Sequence, residues 1–258
     1  MASALLYRRT SGVARRTLAR PSTPSWSLAE SRRRAVVELA AALDPDPAHG
    51  AHVARLAMAI FDGARRLHGS GSLDRELLES AALLHDVGAS VNRSKHHRHS
   101  RYLILHAALP GFDREEARWI ATIARFHTGR IPKLSHDDLE DFEPRDRRRI
   151  LRLAAMLRVA DALDHSHRGR VVSLRVLDGS DGVLLDVATR DEDPGLELWA
   201  AEHKAGLWQS CFGSALRFRS RRISVASGSR SSIDGELALR ETPRSPRGTQ
   251  LRRVGGRA

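Results

Sequence analysis

An adjacent histidine and aspartate, His85-Asp86, close a run of leucines and alanines and are followed at once by Val87-Gly88. Two metal-ligating side chains at the end of an apolar helix need a partner that justifies their place. Residues four and seven apart share a helix face, and that spacing puts more groups of the same kind on inward faces. His49 shares a face with Val53, Leu56 and Ile60, and His85 with Leu78 and Ala81. His99 falls with Leu103 and His106, His127 with Ile120 and Ile123, and Asp161 with Ala154, Leu157 and Asp164. One histidine on an apolar face is usually a satisfied core residue. A carboxylate next to Leu153-Ala-Ala-Met-Leu-Arg-Val-Ala160 is a stronger signal, because a buried unpaired charge is severely penalised.

His49, His85, Asp86, His99, His127 and Asp161 are therefore the expected ligands of one or two divalent metal ions. Imidazole with carboxylate suits Mn, Fe, Co, Ni or Zn. No thiolate takes part, which argues against a closed structural zinc site. A cation held this way lowers the pKa of water towards neutrality and offsets charge on an attacked phosphoryl group. The expected catalytic groups are Asp86, Asp164, one turn past Asp161, and Lys133. Lys95, Lys133 and His96 lie in flanking loops, where they are expected to contact substrate phosphate. His68, His136, His165, His167 and His203 read as ordinary surface or loop residues.

The elements that carry these groups follow from local signals. Ser27-Leu-Ala-Glu30 is a capping box opening a helix to about Leu43, which Asp44-Pro-Asp-Pro47 stops. Further helices are expected at 48–67, from Asp74 to His85, at 99–108, from Asp113 to His127, and from Pro144 to about Asp164. Residues 27–168 thus form a mainly α helical bundle. Val171–Leu177 and Val183–Ala188 alternate around Asp178-Gly-Ser-Asp-Gly182, a hairpin signal. One amphipathic helix over 196–211 and a third strand over 215–219 complete a small α+β subdomain at 169–219.

The charge of +12 on 258 residues invites a nucleic-acid reading, but its location weakens it. Residues 1–26 hold five arginines and no acid, and residues 220–258 hold nine arginines against three acids, so the body carries only +1. These basic tails read as disordered segments that bind polyanions, nucleic acid included, non-specifically. The Arg-rich start is also the composition of some organelle presequences. The single cysteine excludes an internal disulfide and favours a reducing, cytoplasmic setting. No apolar run is long enough to cross a bilayer.

His49, the pair His85-Asp86, and Asp161 in Val159-Ala-Asp161-Ala-Leu-Asp164 resemble the motif of the HD-domain metal-dependent phosphohydrolase superfamily. Four stretches, His49-Gly-Ala-His-Val-Ala-Arg-Leu-Ala57, His96-His-Arg-His-Ser100, Leu109-Pro-Gly-Phe112 and Leu196-Glu-Leu-Trp-Ala200, resemble the C-terminal, HD-like half of the Ppx/GppA exopolyphosphatase and guanosine pentaphosphate phosphatases. The resemblance implies a bridging Asp86, one metal on His49, His85 and Asp161, and a second completed by His99 and His127. It implies hydrolysis of a phosphate ester or anhydride: a nucleotide, an alarmone or polyphosphate. In that family polyphosphate hydrolysis belongs to an N-terminal actin-like domain with Gly-rich phosphate loops. No such loop occurs in this sequence, so exopolyphosphatase activity by that route is not expected. The alternative is a non-catalytic module that binds polyphosphate or an alarmone, or pairs as a homodimer.

Overall fold

The computed structural model describes residues 27–179, 182–190 and 193–223. They form a mostly helical structure with one small three-stranded sheet after the helical region. Helix α1 (Leu28–Leu43) begins at the expected capping box: the Glu30 amide donates to Ser27 Oγ at 3.3 Å, and the Ser27 amide donates to Glu30 Oε2 at 2.9 Å. Helix α2 (Pro47–Gly63) starts on a proline, whose missing donor and fixed φ suit a first turn. It buries His49, Val53, Leu56 and Ile60, the face that spacing assigned. The expected run to Leu67 is broken at Ala64, and α3 (Arg65–His68) is a separate turn.

Helix α4 (Ser72–Leu84) ends just before His85, and a 3-10 turn (Val87–Ser90) follows. Helix α5 (His96–His106) begins three residues earlier than expected. Lys95 stands at its N-cap with φ 64° and makes no side-chain cap hydrogen bond, so the usual start signal is missing. Helix α6 (Arg114–Arg125) carries a second capping box, Asp113 with Glu116. Helix α7 (Pro144–Ala162) has eleven of its nineteen residues buried, which makes it the central helix of the core. Ala154, Ala155, Ala160 and Ala162 line it, and side chains that small let neighbouring helices approach closely.

Strand β1 (Val171–Gly179) pairs antiparallel with β2 (Gly182–Thr189), and β3 (Leu216–Arg222) adds parallel to β2. A parallel neighbour needs a long crossover, supplied here by α8 (Gly195–Lys204) and α9 (Gly206–Phe212). These are two helices where spacing suggested one. The break falls at Ala205, and a Cβ at the next residue, Gly206, would lie 2.7 Å from Ile131 Cδ1. Asp186 on β2 faces Arg219 on β3, with Nε 2.9 Å from Oδ1. Strand β3 extends through Arg222, past the expected limit of 219. The remaining expectations for 1–26 and 224–258 lie outside the described residues. Among the described residues no helix is long and apolar enough to cross a membrane.

The sheet and bundle share one hydrophobic cluster, in which Val171, Val183, Leu185 and Trp208 join Leu56, Ile120 and Leu157. Glu197 of α8 is fully buried and accepts a hydrogen bond from Ser166 Oγ, just past α7. That anchor fixes α8 against the end of α7, where Asp161 lies.

Candidate metal centre

Four imidazoles and two carboxylates meet where α2, the end of α4, the start of α5, the end of α6 and the end of α7 converge. Each ring is oriented by its Nδ1. In His49 it lies 2.9 Å from Asp164 Oδ2, in His85 2.7 Å from the Ala82 carbonyl, in His127 2.7 Å from the Ala124 carbonyl, and in His96 3.0 Å from the Arg93 carbonyl. Those acceptors hold a hydrogen on Nδ1 and leave Nε2 as the atom that would meet a cation. All four Nε2 atoms then point into the same space.

The separations have the size that ligands of common ions show. His49 Nε2 is 3.5 Å from Asp161 Oδ1, and His85 Nε2 is 3.7 Å from both Asp161 Oδ1 and Asp86 Oδ1. Asp86 Oδ1 is 3.2 Å from His96 Nε2 and 3.5 Å from His127 Nε2. Two donors about 2.1 Å from one metal are roughly 3.0 Å apart at a right angle and roughly 3.4 Å apart at the tetrahedral angle. His49, His85 and Asp161 thus form one group able to hold a metal ion, and His85, Asp86 and His127 form another.

His49 Nε2, His85 Nε2 and Asp86 Oδ1 are buried without any hydrogen-bond partner. The Nε2 atoms of His96 and His127 face each other at 2.9 Å. Two lone pairs at that distance repel unless a cation or a proton relieves them. Orphaned buried polar atoms of this kind carry a full desolvation penalty, and here every one of them aims at the same place.

The acids are held ionised, while the imidazoles divide into two kinds. Burial pushes the Asp161 pKa up, but Lys204, His49 and His85 outweigh it and hold the carboxyl well below its ordinary range. Burial likewise raises Asp86, and His85 and His127 overcome it, so this carboxyl too is lowered. Burial together with the neighbouring His85 drives His127 well below its ordinary value, keeping the ring neutral as a ligand must be. Burial disfavours the charged forms of His49 and His85, but Asp161 and Asp164 raise the first to about 10 and Asp86 and Asp161 raise the second, so a cation would have to displace a proton there.

Gly88 explains how His96 reaches Asp86. A Cβ at Gly88 would lie 2.3 Å from the His96 carbonyl oxygen and 2.3 Å from the Ser100 amide. Only glycine lets the turn after Asp86 lie directly on the first turn of α5. Ser100 locks the contact: its Oγ accepts from the Gly88 amide at 2.9 Å and donates to the His85 carbonyl at 2.6 Å.

A family comparison fits this geometry. The model of the Ppx/GppA phosphatase, domain III, family matches residues 31–191 of the 258, more than half the chain. The chain belongs to that family. The match spans every ligand atom named above, so a domain III of a phosphatase family carries this cluster.

Of the expected ligands, His49, His85, Asp86, His127 and Asp161 are brought together. His99 is not, which corrects its expected role. The inward face of α5 is set by buried Ser100 and Ile104, one and two turns beyond His96, so His96 occupies the position expected of His99. His99, rotated off that face, joins none of the metal-capable groups among the described residues. Asp164 is placed behind His49 instead of at the open side. One of its oxygens meets His49 and the other accepts from the Gly169 amide at 2.8 Å, which leaves none directed at water. Lys95 and Lys133 are exposed, and among the described contacts neither side chain touches the cluster.

Three neighbours escaped the sequence reading. Lys204 Nζ lies 2.6 Å from Asp161 Oδ2, 43 residues away in the chain. His167, in a left-handed conformation with φ 56°, stacks on His49 at 3.7 Å between ring centroids, and its Nδ1 lies 2.9 Å from Asp46 Oδ2. Asp44 has a buried, unpartnered Oδ2, and burial, the largest influence on it, raises its pKa. Only Asp44 had a local signal: an acid held beside the His49 turn by the Asp-Pro-Asp-Pro sequence.

Proposed function

We propose that this chain is a metal-dependent phosphohydrolase of the HD type, acting on a phosphate ester or anhydride such as a nucleotide, an alarmone or polyphosphate. One observation carries the reading: four imidazoles commit their Nδ1 atoms elsewhere and turn their Nε2 atoms towards Asp86 and Asp161. His49, His85 and Asp161 would hold one ion, and His96 and His127 a second, with Asp86 Oδ1 between the two sets.

The nitrogen and oxygen donors suit Mn, Fe, Co, Ni or Zn. A bound divalent cation supplies charge that offsets the attacked phosphoryl group and lowers the pKa of water. The protein's own part is orientation. Asp164 fixes the His49 ring, the kind of outer support that holds a ligand in its productive tautomer. Lys204, with 22% of its side chain exposed, can turn from Asp161 to a phosphate oxygen at the mouth. The lone, half-buried Cys211 is removed from this chemistry, its thiol pushed by burial to about 11.

The test is metal analysis of the purified chain followed by a phosphate-release screen over nucleotides, alarmones and polyphosphate. Bound transition metal with turnover that disappears in Asp86→Ala supports the reading. A second reading, a non-catalytic anion-binding module, is favoured by the Lys204 contact, since an ammonium already balances Asp161. It requires a chain that takes up no metal and shows no turnover on any phosphate compound.

A further inference from the structure

Across the His97 ring from the ligand cluster lies a cavity of about 380 Å³, between the start of α5, the end of α6 and the loop after it. His97 forms the partition: its ring meets His96 edge-on at 5.5 Å and His127 at 6.4 Å between centroids. The cavity wall carries Arg98, Arg125, Arg130 and Lys133 and no carboxylate.

One of those four cations is balanced. Arg125 Nε lies 3.0 Å from Asp138 Oδ2. That acid is shared, with Arg101 at 3.5 Å from its other oxygen. Arg98, Arg130 and Lys133 have no acidic partner among the described residues. The loop does not need them for its shape, because a different residue holds it from behind. Buried Arg158 donates to the Phe126 carbonyl at 3.1 Å and to the Gly129 carbonyl at 2.7 Å. His97, which lines the cavity, has a buried Nδ1 with no hydrogen-bond partner.

Converging like charges repel, and a concave wall of one sign concentrates counter-ions of the other. Guanidinium and ammonium groups at such a wall match phosphate oxygens, the guanidinium in bidentate fashion and the ammonium as a point charge.

We propose that this cavity is a second anion site, separate from the ligand cluster, that takes a phosphoryl group of the substrate other than the one attacked. It selects molecules bearing two or more phosphates, either an inorganic phosphoanhydride chain or a nucleoside polyphosphate. The word substrate rests on the hydrolase reading; the anion binding does not.

The test is calorimetric titration of the full-length chain, stripped of metal with a chelator, using inorganic tripolyphosphate and, in a second arm, a nucleoside triphosphate, at constant ionic strength. The probe variant is the double substitution Arg130→Ser with Lys133→Ser. Both side chains are exposed, and circular dichroism checks that the fold is kept. Removing two charged donors should weaken binding of both probes by roughly a hundredfold where both meet phosphate, and by at least about tenfold where only one does. The arm with the greater loss names the source. Unchanged affinity overturns the proposal and assigns the binding elsewhere, for example to the Arg-rich ends of the chain. Asp86→Ala separates the two readings: it should bind tripolyphosphate like the wild type while losing metal. Should it keep metal and turnover, the hydrolase reading falls while the result at the cavity stands. In the loaded enzyme the double variant should raise KM for tripolyphosphate by a larger factor than KM for p-nitrophenyl phosphate.

Discussion

Lys204 Nζ sits 2.6 Å from Asp161 Oδ2, while Oδ1 of the same carboxylate faces His49 and His85. A lysine from the crossover helix thus occupies one side of a ligand from the central helix. Its ammonium competes with any divalent cation for that carboxylate. Lys204→Met should therefore raise metal affinity, by about tenfold or about 1.4 kcal/mol. That is well below the roughly 4 kcal/mol of two unit charges 4 Å apart at an effective dielectric of about 20, because the lysine can swing into solvent. The same variant should lower the melting temperature of the metal-free protein, where Asp161 loses its counter-charge. Calorimetry with Mn²⁺ and paired melts read both effects. An affinity that falls would mean that Lys204 supports the site instead of competing for it.

The close contact between Gly88 and α5 gives a second expectation. Alanine there must push the His96 turn away, since its Cβ would lie 2.3 Å from two main-chain atoms. Overpacking of this kind destabilises by about 1–3 kcal/mol. It should also halve the metal content, because His96 moves away from Asp86 while His49, His85 and Asp161 stay. The direct comparison is His96→Ala against His99→Ala, with metal counted per chain. His96→Ala should lose one ion and His99→Ala none. The reverse pattern would restore His99 as the ligand.

A third expectation concerns pH. Burial opposes the charged form of His49, but Asp161 and Asp164 raise its pKa from 6.5 to about 10. The folded value lies above the unfolded one. The stabilisation of the metal-free protein is therefore fully present below about pH 6.5 and is lost as pH climbs towards 10. Metal must displace the same proton, so metal affinity should rise across that interval. Thermal melts between pH 6 and pH 10 should show the metal-free protein losing stability and the loaded protein retaining it. Parallel curves for the two forms would show that no such proton resides at His49.

Much of this architecture was readable from spacing alone. The faces of α2, α6 and α7 follow the 3.6-residue period, and both capping boxes lie where Ser27 and Asp113 announce them. What escaped was of two kinds. His96 was misplaced because α5 starts on a left-handed Lys95 with no capping side chain, so periodicity counted from the wrong turn. Lys204 and His167 were missed because their place depends on tertiary contacts, the Glu197 anchor under α8 and a positive-φ residue in the loop after α7. No local pattern encodes a contact across 43 residues.

Asp164 offers a separation of roles within one turn of helix. It lies three residues beyond Asp161, yet its oxygens are committed to His49 Nδ1 at 2.9 Å and to the Gly169 amide at 2.8 Å. Asp164→Asn keeps the shape but cannot satisfy both donors with two acceptor atoms, since one amide position is now itself a donor. Either the Gly169 amide or the His49 ring loses its acceptor, and the ring loses the charge that raises its basicity. Loss of an outer carboxylate behind a metal-bound imidazole typically costs 10–100-fold in metal affinity, and about that loss is expected here. Because the substitution leaves the basic cavity near Lys133 untouched, tripolyphosphate affinity of the metal-free chain should not change. Asp161→Asn removes a ligand atom outright and should abolish binding at the His49 and His85 ion. If the two variants weaken metal binding equally, Asp164 is itself a ligand and the assignment of a supporting role is wrong.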